Sequence, residues 1–415
     1  MRKTHIAICD PYLNTKGGGE KCAVATAEVL SKMPGVEVSL LVYDKTSTVN
    51  KDELAGYFQA DLSRVTIRQV KKDEKLLDRY AKYQTKFPPI VRDFLKSYIE
   101  YKAFREHNID IFINNFYKSD IFCPAPVGIY FCMFPQKLAP PTDFRSLKGK
   151  VVSRLLNIAK KKYSIESEPS NMIDTYQKII SISTFTRDWV SKLWDRDSEI
   201  VYPICENMLR KGVGKEKIIL NVGRFFGPGG DSHHKKQEVL LEAFIEMSDL
   251  HKKGWELHFA GAIARTTEAM EFALSLVMRA KGYPVFFHFS APFDDLKTLY
   301  NKATIYWHAT GYGVDEHKHP EQHEHFGITT VEAMSAGAIP IVIKAAGQLD
   351  TVVTGKTGYL WTSQDELKNQ TRIVSAMGDD ERDVLKENAI KFAKNFSKKS
   401  YQDSIVSIVG NYINL

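Results

Sequence analysis

The segment Glu324-His325-Phe326-Gly327-Ile328-Thr329-Thr330-Val331-Glu332-Ala333-Met334-Ser335-Ala336-Gly337 sets two carboxylates on either side of a glycine turn, and the apolar run Ala338-Ile339-Pro340-Ile341-Val342 follows it. Gly327 permits a tight entry into a helix that is predicted to run to about Ala336, where Gly337 can adopt the left-handed conformation that ends it. The first N–H groups of a helix have no partner in the helix itself. Those of Gly327, Ile328 and Thr329 therefore form an anion site suited to a diphosphate. Glu332 falls about one helical turn, ~5.4 Å, further on, where a carboxylate can accept from both hydroxyls of a ribose. Glu324 precedes the helix, within reach of the hydroxyls of a sugar carried by that diphosphate. A bare pair of glutamates at this spacing arises often by chance. The glycine, the stopped helix and the strand together give it meaning.

A second set of residues has related chemistry. Asn221-Val222-Gly223-Arg224-Phe225 ends a strand, and ten residues after Phe225 comes Lys235-Lys236-Gln237, which opens a helix. A lysine pair at a helix start is often only solvated, and Lys236 fits that description; an arginine directly after a strand-ending glycine has less reason to be there. The early run Gly17-Gly18-Gly19-Glu20-Lys21 resembles a phosphate loop at first sight. A phosphate-binding loop of that type requires Gly-Lys-Ser/Thr, whereas here Glu20 intervenes and Cys22 follows, so that reading fails, as does a dinucleotide fingerprint. An ordinary tight turn is the alternative.

Two further patterns are discounted. The run Glu316 to His325 is rich in metal-ligand types, but Pro320 interrupts it and it has no helical or finger spacing. It is expected to be a mobile loop with His325 near the phosphates or the sugar, and no metal is expected. Asp195-Arg196-Asp197 mimics an Asp-x-Asp metal motif, yet it follows a helix rather than a strand and reads as a solvated turn.

Through Pro11-Tyr12, Gly17-Gly18-Gly19-Glu20 and Glu324-His325-Phe326-Gly327, the chain resembles glycosyltransferase family 4 over nearly its whole length. Within that family it is similar to the α-1,2-mannosyltransferases that extend a dolichol-linked oligosaccharide. The resemblance implies an α/β architecture of the GT-B kind, with two Rossmann-like parallel-sheet domains facing a cleft, and transfer from a nucleotide sugar with retention of configuration. It implies that Arg224 and Lys235 grip the donor's diphosphate, that Glu324 positions the sugar, and that Gly17, Gly18 and Gly19 close over sugar and diphosphate. His325, Phe326, Gly327, Ile328, Thr329 and Glu332 complete the donor site. Aligned with those mannosyltransferases, Tyr130-Phe131-Cys132-Met133-Phe134-Pro135 puts Met133 where they carry a histidine, in the sugar pocket. A thioether cannot act as an acid or base there.

The elements that must position these residues follow from periodicity. His5–Asp10 reads as a buried strand, followed by a Pro/Gly-rich loop and an alanine-rich helix from about Glu20 to Lys32. Apolar runs at Val36–Tyr43, Ile109–Ile113, Gly128–Cys132 and Ile179–Ser183 alternate with helical stretches such as Thr186–Trp194, the mark of parallel βα units. The pattern restarts with strands at Ile218–Val222, Glu256–Ala260, Val285–Phe289, Ile305–His308 and Ile339–Ile343, and a helix at Gln237–Met247. With 415 residues, two domains are the default. We place an acceptor-binding domain at 1–205 and a nucleotide-sugar domain at 206–396. Val201–Lys217 is the linker, and a final helix is expected over about Asp379–Asn414; the resemblance implies that it returns over 397–415 to the first domain.

Composition, at 43% apolar and 26% charged, is that of a folded globular chain. The five cysteines are scattered and never paired as Cys-x-x-Cys, which argues for a reducing compartment and a cytoplasmic location. The run Ile6–Cys9 is too short for a signal peptide. A net charge of +7 without nucleic-acid motifs leaves no case for nucleic acid. Leu147, Val151, Leu155 and Ile158 recur at helical spacing beside Lys148, Lys150, Arg154, Lys160, Lys161 and Lys162, with Phe87-Pro88-Pro89-Ile90-Val91 nearby. That pattern reads as an anionic membrane surface contact, with a solvated core helix as its rival. The expected donor is GDP-mannose, with no cofactor, and the expected acceptor is a lipid-linked or other membrane-associated glycan. UDP-sugar glucosyl- or N-acetylglucosaminyltransferases, an epimerase of the same fold and a non-enzymatic glycan-binding relative stay open as alternatives.

Overall fold

A computed structural model describes residues 2–15, 17–43, 49–71, 74–83, 85, 87–105, 107–137, 153–155, 158, 172–227 and 234–413. They fall into two units. The first comprises Met1–Ile182, Thr186–Val201 and Gln402–Leu415, and the second Ser183–Phe185 and Tyr202–Tyr401.

In the first unit the strands β1 (Thr4–Cys9), β2 (Val36–Tyr43), β3 (Val65–Val70), β4 (Ile111–Asn114), β5 (Val127–Cys132), β6 (Lys178–Ser181) and β7 (Glu199–Ile200) form one sheet in the order β3-β2-β1-β4-β5-β6-β7. Every pairing is parallel. Strands such as β1 and β4 are mostly apolar and buried almost throughout because a parallel sheet is covered on both faces. The order reverses between β1 and β4, with Ile6 opposite Ile111 and Cys9 opposite Asn114. In open α/β sheets, ligands gather outside the carboxyl ends of strands at such a reversal.

The second unit repeats the plan. Strands β8 (Glu216–Val222), β9 (Glu256–Gly261), β10 (Val285–Phe289), β11 (Ala303–His308), β12 (Ile339–Ile343) and β13 (Tyr359–Trp361) take the order β10-β9-β8-β11-β12-β13, again all parallel. Its reversal lies between β8 and β11. Asn221 Nδ2 donates to Trp307 O there at 2.9 Å and ties the two strand ends. The core around Ile219, Phe244, Leu257, Trp307 and Ile341 is fully buried.

Several expectations need correction. The predicted linker is anchored: Val201, Ile204, Cys205 and Met208 are buried, Met208 N donates to Ser335 Oγ, and Lys215 Nζ donates to the carbonyls of Tyr300, Ala303 and Ala336. The predicted final helix is two helices, Asp379–Ala393 and Lys398–Gly410, split by a 3₁₀ turn over Lys394–Phe396. The split arises because Phe396 turns inward against the rings of Tyr202 and Phe326. Ser397 Oγ then accepts from Ser400 N to start the next helix.

Phe87, Val91 and Leu155, assigned to a membrane face, pack instead in a satellite core with Leu76, Leu95 and Ile99, using the helices Glu74–Tyr83 and Pro89–Arg105. Arg154 and Ile158 are exposed. Leu147, Val151, Lys148, Lys150, Lys160, Lys161 and Lys162 lie outside the described residues. All five cysteines are buried free thiols. No helix among the described residues is long and apolar enough to cross a membrane.

Candidate active site

The donor-side residues converge at the reversal point of the second sheet. Gly223 follows strand β8 and its N–H donates to Ala260 O near the end of β9, and Arg224 comes next as an exposed cation. Among the described residues, the Arg224 guanidinium makes no ion pair. Gly223 and Gly261 are required by close approach. A Cβ on Gly261, at φ +156°, would sit 2.1 Å from Gly223 O, and one on Gly223 would press on the Lys235 stem at 3.0 Å. The stem of Lys235 is thereby free to lie along the end of β8.

Lys235 Nζ reaches Glu324 Oε2 at 2.7 Å. His308, the last residue of β11, has Nε2 3.2 Å from the same oxygen, so an imidazole protonated at Nε2 donates to it. Burial alone would raise the Glu324 carboxyl. The Lys235 charge, with the His308 hydrogen bond, outweighs that and holds it well below the usual carboxylate range. Burial also lowers His308, against the pull of Glu324, so it is neutral near pH 7. Its Nδ1 is buried and has no hydrogen-bond partner.

The predicted helix is present as Ile328–Ser335, entered through Gly327 at φ +106° and left through Gly337 at φ +79°. Gly327 O accepts from Thr330 N and Val331 N, which leaves the earlier N–H groups of Ile328 and Thr329 at the open end. Residues 324–327 are clamped from one side. Gly347 N donates to Glu324 O at 2.9 Å, and a Cβ on Gly327 would meet Gln348 Nε2 at 2.5 Å. That amide nitrogen is buried beside the helix start and has no partner. Tyr306 OH donates to Thr329 Oγ1 at 2.7 Å. Glu332, one turn on, accepts from Tyr300 OH at 3.1 Å, and Tyr300 is fully buried.

The loop before the helix is less mobile than expected. His323, His325 and Phe326 are buried. His325 stacks on Phe185 with centroids 6.1 Å apart, and Phe326 packs between Tyr202 and Phe396. Phe326 thus offers a donor only its backbone. No group of three or more His, Cys, Asp or Glu among the described residues could hold a metal ion. Arg196 of the discounted triplet is not merely solvated, because it donates to the carbonyls of Ile173 and Tyr176.

The first unit has its own cluster at its reversal point. The helix there spans Gly18–Ser31, so Gly18 and Gly19 belong to its first turn rather than to a loop, with Gly17 as the N-cap. Met133, just after β5, lies against Gly19, and a Cβ on that glycine would meet Met133 Cε at 2.4 Å. Asn115 Nδ2 donates both to Gly19 O at 3.0 Å and to Asp10 Oδ2 at 2.8 Å. Asp10 also accepts from Tyr12 N. Burial first, then the charge of Glu20, raises the Asp10 carboxyl to about 7.

Sequence reasoning missed Asp10, Asn115, Tyr300, Tyr306, His308 and Gln348. For Asp10, Asn115 and His308 a signal was present, since each closes or follows a strand at a sheet reversal. Tyr300 and Gln348 reach their places only through the packing of other helices.

The two repeated parallel sheets, each with its order reversal, have the GT-B fold. A family model described as "Glycosyl transferases group 1" matches residues 209–395, so this stretch is similar to the domains of that family. The chain is 25% identical over 239 residues to the GDP-Man:Man(3)GlcNAc(2)-PP-Dol alpha-1,2-mannosyltransferase of Xenopus tropicalis, covering 54% of this chain and 46% of that one. The matched part spans about half the length of such curated relatives. Among solved structures, a glycosyltransferase from Rickettsia africae superposes with a TM-score of 0.64 at 16% identity, covering 99% of both chains. Anabaena HepE in complex with UDP and glucose superposes at 0.60 with 15% identity, covering 98% of this chain and 99% of that one.

Proposed function

We propose that the protein is a retaining, metal-independent hexosyltransferase that moves mannose from GDP-mannose to a lipid-linked or other membrane-associated glycan. The observation that carries the reading lies at the β8/β11 reversal, where Lys235 is ion-paired with Glu324 just before the Ile328–Ser335 helix, Arg224 follows β8 as an exposed cation, and Glu332 lies a turn into the helix. Binding a glycan alone would not require a diphosphate site. The choice of GDP-mannose and of a lipid-linked acceptor rests on the names of the relatives.

In this reading the diphosphate is bound by the helix start, and its growing negative charge is met by Arg224 and Lys235 as the glycosidic bond breaks. Lys235 then exchanges part of its contact with Glu324 for the phosphate, and Glu324 turns to the sugar hydroxyls. Glu332 holds the ribose. The departing phosphate accepts the proton of the acceptor hydroxyl on the same face of the sugar, which retains configuration and requires no protein base at Met133. The first unit carries the acceptor, on the side where Met133 lies against Gly19. The work is done at a membrane's cytoplasmic face.

The test is to incubate the protein with GDP-mannose or UDP-glucose and a lipid-linked acceptor, with and without EDTA, and to read the anomeric proton by NMR. A retained mannoside formed in EDTA supports the reading. No turnover of GDP-mannose, an inverted product, or loss of activity restored only by Mg²⁺ or Mn²⁺ overturns it.

A further inference from the structure

The helix Thr267–Arg279 buries Ala269, Phe272, Ala273 and Leu276 against the second unit's core, and leaves an opposite apolar stripe in solvent. Met270, Leu274 and Met278 are 64%, 62% and 63% exposed, with Val277 at 38% beside them. Side chains four positions apart share one helix face, so these form a continuous ridge. Soluble monomers seldom expose a run of large apolar groups of this kind without a partner. Among the described residues nothing covers it. The neighbouring edge strand β10 adds the exposed ring of Phe286.

The charges say what fits. Glu268 and Glu271 lie in the N-terminal half of the helix, while Arg279 and Lys281 lie at its C-terminal end. The apolar order Met270, Leu274, Met278 is a palindrome about Leu274. A two-fold axis beside Leu274 would set that residue on its own copy, place Met270 against Met278 of the second copy, and bring Glu268 near Lys281 of the second copy. Arg279 is already engaged by Glu242. An antiparallel pair also opposes the two helix dipoles favourably, and isologous contacts of this self-complementary kind are how most homodimers close. An anionic lipid surface fits less well, because Glu268 and Glu271 border the ridge and are exposed. We propose that the Thr267–Arg279 helix is a homodimer interface that packs antiparallel on the same helix of a second copy.

The test uses the full chain and light scattering coupled to size exclusion. The parent is expected at about twice 47.2 kDa and Leu274→Asp at 47.2 kDa, with an unchanged circular dichroism spectrum. Glu268→Lys is expected to weaken association about tenfold by placing like charges together, and Glu268→Lys with Lys281→Glu to restore it. Donor binding should be the same in all four proteins, so failure here is distinguishable from failure of the proposed activity. A monomeric parent, a Leu274→Asp variant that stays dimeric, or a double variant no better than the single one would overturn the proposal. So would a monomeric parent that floats with anionic vesicles and ceases to do so as Leu274→Asp, which would assign the ridge to lipid.

Discussion

At the scale of single residues, the second unit's site is a set of charges held by partners that the donor must displace or share. Glu324 is ion-paired with Lys235 and bonded by His308, so this carboxylate and this cation satisfy each other. Glu332 accepts from the hydroxyl of the buried Tyr300, which helps to orient its carboxylate. Glu332→Ala is therefore expected to weaken nucleotide-sugar binding by roughly 1.5–3 kcal/mol, the scale of a hydrogen bond to a charged group. Calorimetric titration with GDP-mannose checks this, and an unchanged dissociation constant would remove Glu332 from the site. Arg224 is exposed and free of an internal partner among the described residues, as suits a group that engages charge appearing late. Arg224→Ala should lower kcat about tenfold or more while changing donor affinity little, because the leaving group's charge grows toward the transition state. Steady-state kinetics beside direct binding decide it. A loss confined to ground-state affinity would contradict the role.

At the scale of elements, each site sits where a sheet reverses order and a glycine-entered helix begins. In the first unit Asp10 follows β1 and Asn115 follows β4; Asn115 donates to Asp10 and to the Gly19 carbonyl at the start of the Gly18–Ser31 helix. Asp10 titrates near 7 in the folded chain against 3.8 for the free group. The native state thus binds more protons than the unfolded chain between those values. Stability from this group is greatest in acid and declines as pH rises from about 4 to 7, then levels off. Asp10→Asn removes that titration. The variant should gain on the parent by on the order of a few kcal/mol between pH 4 and pH 8 in urea unfolding, and a pH-independent difference would show that Asp10 is not the group titrating. Much of this framework was legible beforehand: continuous apolar runs gave β1, β2, β10 and β12 nearly to the residue, and Gly327 and Gly337 bounded their helix because only glycine takes those positive φ angles readily. The misses have physical reasons. β3, the edge strand, interrupts its apolar residues with Thr66, Arg68 and Gln69 and so lacks an apolar run, and β7 is two residues long. The Tyr300 contact to Glu332 depends on how two helices pack, which no local pattern encodes.

At the scale of the whole molecule, the C-terminal segment is shared between the two units. Tyr401 is counted with the second unit, while Gln402–Leu415 belongs to the first. Gln402 Nε2 donates to Ala25 O and to Glu28 Oε2 on the Gly18–Ser31 helix, and Thr4 Oγ1 donates to Ile413 O at the start of β1. Ile405, Ile408 and Val409 are buried, so the Lys398–Gly410 helix is held by apolar packing as well as by these bonds. Removing it would uncover three large aliphatic side chains' worth of contact, each contributing about 1.5–3 kcal/mol when fully buried. It would also leave Glu28 with fewer partners. A chain ended at Ser397 should therefore lose much of the first unit's stability, while the second unit keeps its sheet, its Lys235–Glu324 pair and the Ile328–Ser335 helix. Differential scanning calorimetry should show the parent's first-unit transition lowered or lost in the shortened chain, with a second transition that still rises on adding GDP-mannose. A single transition, lowered as a whole and no longer shifted by GDP-mannose, would mean that the donor-side unit also depends on the segment.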